Sequence, residues 1–261
     1  ILNSIKTNKA NYFSKNFGNK YFTKDNAIKI GAIRQKIEKI SSNSDEKFIL
    51  ITSLIYAADR IANTVGHYDA YRENLDTRGK LELQVPNIDY KKNKNNKVYC
   101  MDSNILANEI KGDVVYIDPP YNSRQYSDTY HLLDNLASWN KPDVFGKAKK
   151  MDRSHIKSKY CSKDAVHEFQ DLITKLNARH IIVSYNNTEN TKHGRSNAKI
   201  SFNQIKKILM KKGKTEINQI DFKAFTTGKS KTENHKEILF YCRVKWKNLY
   251  QSVQPQDLRT E

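Results

Sequence analysis

The chain has 261 residues and carries 46 Lys and Arg against 28 Asp and Glu, so its net charge is +18. Two explanations of this charge are a polyanionic partner and a source whose proteins are all rich in Lys and Asn, and we favour the partner. Its three cysteines are widely spaced, which excludes a disulfide framework and a zinc site and suits a reducing cytoplasm. No apolar stretch approaches the ~20 residues that span a bilayer and the first residues do not form a signal peptide, so we expect a cytoplasmic protein.

The first part of the chain is predicted to be helical. Residues 1–20 open on Ile rather than Met and are expected to be a fragment start or a loop. Apolar residues at helical spacing predict an amphipathic helix with Thr23 as its N-cap and a second helix that starts near Ser44. Residues 81–85 alternate between apolar and polar side chains, which is typical of a strand.

Two stretches before residue 98 are candidates for contact with nucleic acid. Residues 64–72 contain Tyr68, Tyr71 and Arg72, and such a segment is suited to touch phosphate or to insert beside a base. The tyrosines equally suit a role in capping a core, and composition leaves both interpretations open. Residues 91–97 are a Lys- and Asn-rich run, which is typical of a solvated loop or of a segment that follows a nucleic-acid backbone.

From residue 98 the pattern predicts a βαβ unit. Residues 98–101 indicate a short strand that ends at Asp102, and a helix capped by Ser103 follows. The next strand, 113–117, ends at Asp118. Two successive strands that each end in an acid, with one helix between them, predict a parallel sheet whose functional site lies at the carboxyl edge.

The tetrapeptide Asp118-Pro119-Pro120-Tyr121 is the candidate catalytic motif. Neither proline has an N–H to donate, so the strand must stop at Asp118. The Asp118 carboxylate and a carbonyl of the proline pair are suited to accept the hydrogens of an amino group, and the Tyr121 ring is suited to stack on a flat base. A simple strand with a proline turn accounts for an Asp-Pro pair, but poorly for the full tetrapeptide after an apolar strand.

This tetrapeptide resembles the catalytic signature of S-adenosylmethionine-dependent methyltransferases that act on adenine N6 in DNA. The string from Tyr116 to Tyr126, followed by Tyr130-His131-Leu132-Leu133, is similar to the Dam-related D12 class, and the resemblance covers most of the chain. It implies a Rossmann-like methyltransferase fold, flipping of the target base and a restriction-modification context. It also implies that Asp102 contacts the cofactor adenine, for which a helix N-cap role is the alternative.

The region after the tetrapeptide contains a long basic segment. Residues 122–128 are expected to form a loop over the site, and a helix follows at 130–137, in which His131 has no metal-ligand spacing and is interpreted as structural. Residues 141–163 are rich in Lys and poor in core residues, which makes them the best candidate for contact with the DNA backbone. A strand at 181–185 then ends at Asn186, which the resemblance places near the target-base pocket.

The end of the chain predicts an antiparallel hairpin of two strands, at 215–225 and 237–246, followed by a disordered tail. We therefore predict an α/β fold with a Rossmann-like, mostly parallel methyltransferase sheet that ends in a hairpin, plus a helical and loop insertion for DNA recognition. The domains would be an amino-terminal segment (1–20), a helical target-recognition region (21–97), a catalytic core (98–246) and a tail (247–261).

One element that the resemblance leads us to expect is missing from the sequence. Methyltransferases of this kind carry a Gly-rich loop after their first strand, since glycine lets the backbone approach the cofactor closely, and none of the nine glycines lies in such an arrangement. The chain looks like the family without its amino-terminal part. Three explanations are open: the missing amino-terminal part lies outside this sequence, a second polypeptide supplies it, or it has been lost. Loss is disfavoured, because a decayed site would not be expected to keep the tetrapeptide intact.

The sequence therefore predicts transfer of a methyl group from S-adenosylmethionine to adenine N6 in double-stranded DNA, without a metal. The alternatives are a non-catalytic or incomplete DNA-binding subunit, and a methyltransferase for cytosine N4 in DNA or adenine in RNA. Asp118, Pro119, Pro120 and Tyr121 are the predicted catalytic residues, and Asp102, Asp118 and Pro119 the predicted cofactor contacts. The predicted DNA contacts are Tyr68, Tyr71, Arg72, Arg124, Lys147, Lys149, Lys150, Arg153, Lys157 and Asn186.

Overall fold

The structure is a computed structural model that describes residues 1–75, 79–120, 122, 124–186, 198–221 and 236–245. The helices are α1 (Tyr12–Phe17), α2 (Lys24–Ile40), α3 (Ser44–Arg60), α4 (Tyr90–Asn93), α5 (Ser103–Leu106), α6 (Tyr126–Thr129), α7 (His131–Ser138), α8 (Ala165–Lys175) and α9 (Phe202–Lys212). The strands are β1 (Lys111–Ile117), β2 (Asn177–Asn186), β3 (Gly213–Asp221) and β4 (Lys236–Val244). The predicted tail, at 247–261, lies outside the described residues.

The chain divides into two compact units. Unit 1 contains residues 1–96 and 126–156, and unit 2 contains residues 97–125 and 157–261. Residues 126–156 lie within the predicted catalytic core (98–246), whereas in the structure they group with the amino-terminal helices. The apolar stripe of α7 explains this grouping, because Leu132 and Leu136 are fully buried in the same core as Phe13 and Ile33.

The helices of unit 1 confirm the predicted pair. Thr23 caps α2 by accepting a hydrogen bond from the Asn26 N–H, and Asn43 caps α3 one residue before the predicted start. The buried Arg34 of α2 donates to the carbonyls of Leu136 and Ala137 at 2.7 and 2.8 Å. These carbonyls belong to the last turn of α7, where intrahelical donors are lacking, so the guanidinium fixes α7 against α2.

Unit 2 is built on a four-stranded sheet in the order β1-β2-β4-β3. β1 and β2 are parallel, whereas β2 pairs with β4 and β3 with β4 in antiparallel register. The α/β prediction and the carboxyl-terminal hairpin are thus confirmed, and the described strands form one parallel and two antiparallel pairs. Aromatic and β-branched side chains such as Phe169, Ile181 and Phe240 fill the core between the sheet and the helices α8 and α9.

Two predicted strands are absent from the described structure. Residues 98–101 are not a strand, and Val98 is 94% exposed, because no neighbouring strand offers its backbone a partner there. Residues 81–85 are extended but unpaired with any strand. Side-chain amides hold them instead: Asn26 Oδ1 accepts from the Leu81 N–H and Asn3 brackets the backbone of Leu83.

Candidate active site

The sheet register determines where Asp118 lies. Ile117 at the end of β1 pairs with Val183 of the parallel β2, so Asp118 follows β1 at the carboxyl edge of the sheet. Asn186 is the last residue of β2 at the same edge and still pairs with β4. Pro119 is buried beneath that edge, whereas Asp118 is exposed. The Asp118 carboxylate is therefore accessible to solvent, while its backbone is held by β1 on one side and by the buried Pro119 ring on the other. Tyr121 lies outside the described residues.

The loop after the two prolines is held by hydrogen bonds within unit 2. The Asn122 side chain accepts from the Arg124 N–H at 2.8 Å, which closes a local turn. The Cys161 thiol lies 3.5 Å from the Pro120 carbonyl oxygen and 3.4 Å from that of Arg124. Within this loop, the Pro120 carbonyl is therefore directed toward the protein interior, and Arg124 is exposed at the surface.

Asp102 has the N-cap role that was the alternative interpretation in the sequence. Its Oδ1 accepts from the N–H groups of Asn104 at 2.8 Å and Ile105 at 3.3 Å, so Asp102, rather than Ser103, caps α5. Within the described residues its other oxygen makes no hydrogen bond, and the residue is exposed. Capping thus occupies one carboxylate oxygen and leaves the other directed to solvent, where an amino group can donate to it.

The segment 64–72 is tied into unit 1 by Tyr68. Tyr68 is only 2% exposed, and its hydroxyl donates to Asp59 at 2.7 Å. Its carbonyl accepts from the Tyr21 hydroxyl at 2.7 Å and lies 2.9 Å from His131 Nε2. The structure therefore gives Tyr68 a core position rather than a surface for DNA. Tyr71 is half-buried with its ring edge-on to Tyr21, and Arg72 is exposed.

His131 is the buried anchor of this segment. A carbonyl only accepts, so the Nε2 of His131 carries a proton and donates it to the Tyr68 carbonyl. Burial, assisted by the positive charges of Lys150 and Arg153, outweighs the hydrogen bond to Tyr68 and lowers the pKa of His131 to about 4, so the imidazole is neutral at pH 7. The structural role that the sequence indicated for His131 is confirmed.

This burial predicts a pH dependence of stability. Between pH 4 and 6.5 the unfolded chain binds a proton at His131 that the folded chain does not, so the free energy of unfolding decreases as the pH falls through this window. We expect a loss of about 2 kcal/mol between pH 7 and pH 5 from this group. In His131→Gln the amide still donates to Tyr68 but does not titrate. The free energy of unfolding of this variant in urea should therefore fall by about 2 kcal/mol less than that of the wild type between pH 7 and pH 5. An unchanged slope would contradict the assignment.

Lys150 and Arg153, both predicted DNA contacts, take part in an ion-pair cluster inside unit 1. Lys150 Nζ binds Asp69 and also Asp128, at 3.2 Å for the latter, and Arg153 Nε donates to Asp128 at 2.8 Å. Partial burial raises the pKa of Asp128, but the hydrogen bonds and charges of Lys150 and Arg153 outweigh it, so the pKa lies below its ordinary value. The cluster joins the segments that carry Asp69, Asp128 and Lys150.

The remaining predicted contacts are distributed over both units. Lys147 in unit 1 is 78% exposed and reaches Glu73 only at 3.8 Å, and Lys149 is half-buried with a positive φ of 52°. Lys157 and Arg124 are exposed in unit 2, and Asn186 there is half-buried at the end of β2. Asp118, Arg124 and Asn186 are therefore brought into one unit, at or just beyond the carboxyl edge of its sheet.

The described residues contain neither a metal-binding cluster nor a helix suited to span a membrane. In the described ranges, no group of three or more His, Cys, Asp or Glu is placed to hold a metal ion. None of the helices in that part of the chain combines the length and the apolar character needed to cross a bilayer.

Some residues that shape the site carried no signal in the sequence. Cys161 lies far along the chain from Pro120, and Asp69 and Asp128 are isolated acids whose pairing with Lys150 depends on the fold. Gln125 exchanges two hydrogen bonds with the Ser158 backbone, and its place in the string that resembles the D12 class was the only sequence signal for it.

Comparison with known proteins identifies the family. Residues 2–197 match the model of the D12 class of N6 adenine-specific DNA methyltransferases. The chain is 34% identical over 222 residues to the type II methyltransferase M.NlaIII of Neisseria lactamica, covering 83% of this chain and 63% of that protein. It is 35% identical over 232 residues to the modification methylase StsI of Streptococcus sanguinis, covering 86% and 35%.

A third relative is the type II methyltransferase M.FokI of Planomicrobium okeanokoites, at 36% identity over 234 residues, covering 85% of this chain and 35% of that protein. The chain thus matches from about a third to under two thirds of the length of these curated relatives. No solved structure matches it significantly. Because the family model matches residues 2–197, which are most of the chain and include the predicted motif, this protein belongs to the D12 class of N6 adenine-specific DNA methyltransferases.

Proposed function

We propose that this protein transfers a methyl group from S-adenosylmethionine to the N6 amino group of an adenine in a specific DNA sequence, as the modification activity of a restriction-modification system. The observation that carries the proposal is the exposed Asp118 at the carboxyl end of β1, inside the Asp-Pro-Pro-Tyr motif of a D12-class chain. The names of the relatives, all methyltransferases or modification methylases, support the restriction-modification context.

In this proposal, Asp118 and Pro119 act on the amino group of the base. The N6 lone pair is delocalised into the adenine ring, so the amino nitrogen is a poor nucleophile. The Asp118 carboxylate and the Pro119 carbonyl accept its two hydrogens, which directs the lone pair toward the methyl donor. The Pro120 carbonyl is directed toward the buried Cys161 thiol, which supports Pro119 as the acceptor of the proline pair. As the N–CH3 bond forms and the S–CH3 bond of the donor breaks, the nitrogen becomes positive and the negative charge of Asp118 stabilises it; loss of one amino proton to solvent then gives the neutral N6-methyl product.

The target adenine has to leave the base stack to reach Asp118. Flipping costs a few kcal/mol, and we propose that stacking on Tyr121 offsets part of that cost. Asn186 ends β2 at the same sheet edge as Asp118, which supports its assignment to the base pocket.

The residues of this chain meet part of what S-adenosylmethionine requires. The cofactor would supply the methyl group, and the exposed oxygen of Asp102 is suited to accept from its adenine amino group. The chain has no Gly-rich loop to approach the methionine part. Among the described strands, β1 pairs only with β2, and its outward side chains Val114 and Tyr116 are 57% and 60% exposed. Parallel strands are normally covered on both faces, so we propose that a preceding segment or a second polypeptide completes the cofactor site here.

The test is transfer of labelled methyl from S-adenosylmethionine to mixed-sequence duplex DNA. We expect label in DNA, located at adenine N6 by digestion to nucleosides, and the same assay with single-stranded RNA should give none. Label at cytosine N4 or in RNA would replace the proposed substrate. Absence of transfer with DNA binding that ignores S-adenosylmethionine would instead favour a non-catalytic DNA-binding subunit.

Two lysines of the basic segment give a matched prediction for DNA binding. Lys147 is exposed, whereas Lys150 is 22% exposed and paired with two carboxylates. Lys147→Ala should weaken DNA binding several-fold at low salt and reduce the salt slope by about 1, with the melting temperature unchanged. Lys150→Ala should mainly lower the melting temperature, because the partly buried Asp69 loses its cation and Asp128 keeps only Arg153. Fluorescence anisotropy with labelled duplex and thermal unfolding separate the two effects, and the reverse outcome would contradict the assignment.

A further inference from the structure

The backbone from Asp118 to Pro120 has little conformational freedom and is fixed at both ends. Ile117 is fixed by its pairing with β2. Both prolines have fixed φ angles, and Asp118 and Pro119 each precede a proline, which biases their ψ angles to extended values. Few soft torsions therefore separate the sheet from Pro120. Because Ile117 is already fixed, a contact that also fixes Pro120 leaves the Pro119 carbonyl and the Asp118 side chain little freedom of direction.

Cys161 supplies that second anchor. Its buried thiol lies within hydrogen-bond distance of the carbonyl oxygens of Pro120 and Arg124, at 3.5 and 3.4 Å. These two carbonyls bracket the loop that contains Tyr121. A thiol is a weak donor with a single proton, so this contact is specific in position but modest in strength.

Gln125 adds a stronger, reciprocal contact at the end of the same loop. Its side-chain Nε2 donates to the Ser158 carbonyl at 3.1 Å, and the Ser158 N–H donates to Gln125 Oε1 at 2.8 Å. The Gln125 amide thus makes two hydrogen bonds with the backbone of one residue, Ser158, as both donor and acceptor. Both contacts reach the same short segment, residues 158–161.

That segment is itself fastened to the helices of unit 2. The buried Tyr160 donates from its hydroxyl to Asn104 Oδ1 at 2.7 Å. Asn104 in turn donates to the Glu168 carbonyl and to Asp171, at 2.9 and 2.8 Å. Asn104 lies two residues after Asp102 in the helix that Asp102 caps. The support beneath the loop is therefore continuous with the helix that carries the proposed cofactor contact.

We infer that Gln125 and Cys161 are positioning residues, which latch the two ends of the loop 120–125 onto residues 158–161 and so hold Asp118 and Pro119 in the geometry that methyl transfer needs. This inference rests on the proposed function for its catalytic consequence, but the latch itself is a property of the folded chain. Displacement of reacting groups by about 1 Å costs on the order of 100-fold in rate, so a loosened loop should show a clear kinetic effect.

The latch is tested first without cofactor or DNA, by hydrogen exchange of a peptide that covers residues 119–126. In Gln125→Leu this peptide should exchange at least roughly tenfold faster than in the wild type, because its end is released. The matched control is Gln204→Leu in the same unit, whose side chain also accepts a backbone N–H, from Ser201. It should leave the peptide unchanged. Unchanged exchange in Gln125→Leu would overturn the latch.

The positioning role is tested by single-turnover transfer of labelled methyl, corrected for the folded fraction. We expect Gln125→Leu to lower the rate roughly 10- to 100-fold with DNA affinity unchanged, and Gln204→Leu to leave the rate unchanged. Cys161→Ala should lower the rate and Cys161→Ser, which keeps a donor, should recover it. Its control is Cys242→Ala, which also removes a buried thiol near a carbonyl, that of Leu209 at 3.4 Å.

The outcomes separate the inference from the proposed function. Faster exchange in Gln125→Leu with a wild-type rate per folded molecule would overturn the positioning role. A rate loss in Cys242→Ala or Gln204→Leu equal to that of the loop variants would also overturn it, since the effect would then reflect general destabilisation. A wild-type chain that transfers no methyl group would count against the proposed function as stated, and the exchange measurement would still decide the latch.

Discussion

Asp118→Ala is expected to lower the rate of methyl transfer by at least roughly 100- to 1,000-fold, because the variant removes both an acceptor for the amino hydrogens and the negative charge that opposes the developing positive charge. Asp118 is exposed, so the free energy of unfolding should change by less than about 0.5 kcal/mol, and DNA affinity should be largely kept. The measurement is single-turnover transfer of labelled methyl at saturating DNA.

Two variants make the Asp118 result interpretable. Asp118→Asn keeps an oxygen acceptor but not the charge, so its rate should fall between those of the wild type and Asp118→Ala. Asp113→Ala is the matched control, since Asp113 is an exposed acid on the same strand whose only described ion pair, with Arg179, is 3.5 Å long. Near-wild-type transfer by Asp118→Ala, or an equal loss in Asp113→Ala, would rule out the proposed role.

Tyr121→Ala is expected to weaken productive binding of DNA, because a flipped adenine would lose its stacking partner. Base–aromatic stacking contributes about 1–3 kcal/mol, which corresponds to a roughly 5- to 150-fold rise in KM for DNA. Tyr121→Phe and Tyr121→Trp present a ring face and should remain close to the wild type. Steady-state transfer over a range of DNA concentrations measures the effect.

The control for this series is Tyr56→Ala, which removes an exposed ring from α3 in unit 1. It should leave KM unchanged if the loss in Tyr121→Ala comes from stacking. If Tyr121→Trp is as damaging as Tyr121→Ala, a shape or hydroxyl requirement would replace stacking as the explanation.

Several elements were predictable because their signals are local. The cap at Thr23, the apolar stripes of α2 and α7 and the alternating strands of the hairpin depend on residues within a few positions of one another. The strand before Asp118 was predictable for the same reason, since the prolines end it. The failed strand at 98–101 had the right composition, but a strand needs a partner, and pairing is not a local property.

The predicted DNA contacts show the opposite limit. Tyr68 and Tyr71 are only three positions apart, yet Tyr68 is buried with its hydroxyl on Asp59, and Tyr71 is half-buried against Tyr21. Lys150 looked like any lysine of the basic segment, but Asp69 and Asp128 reach it from distant parts of the chain. Composition indicates that such residues are present, while burial and pairing decide which of them remain at the surface.

The sequence alone determined the chemistry: a strand ended by two prolines, an acid at its carboxyl end and an excess of positive charge identify the motif and favour a nucleic-acid partner. Only the tertiary structure decided what supports that motif. Cys161 and Gln125 contact backbone carbonyls, of Pro120 and Ser158, that the fold brings close to them. One carboxylate oxygen of Asp102 caps a helix and the other faces solvent. The physical reason is that hydrogen bonds of this kind act over about 3 Å, so they depend on the folded path of the chain rather than on residue type.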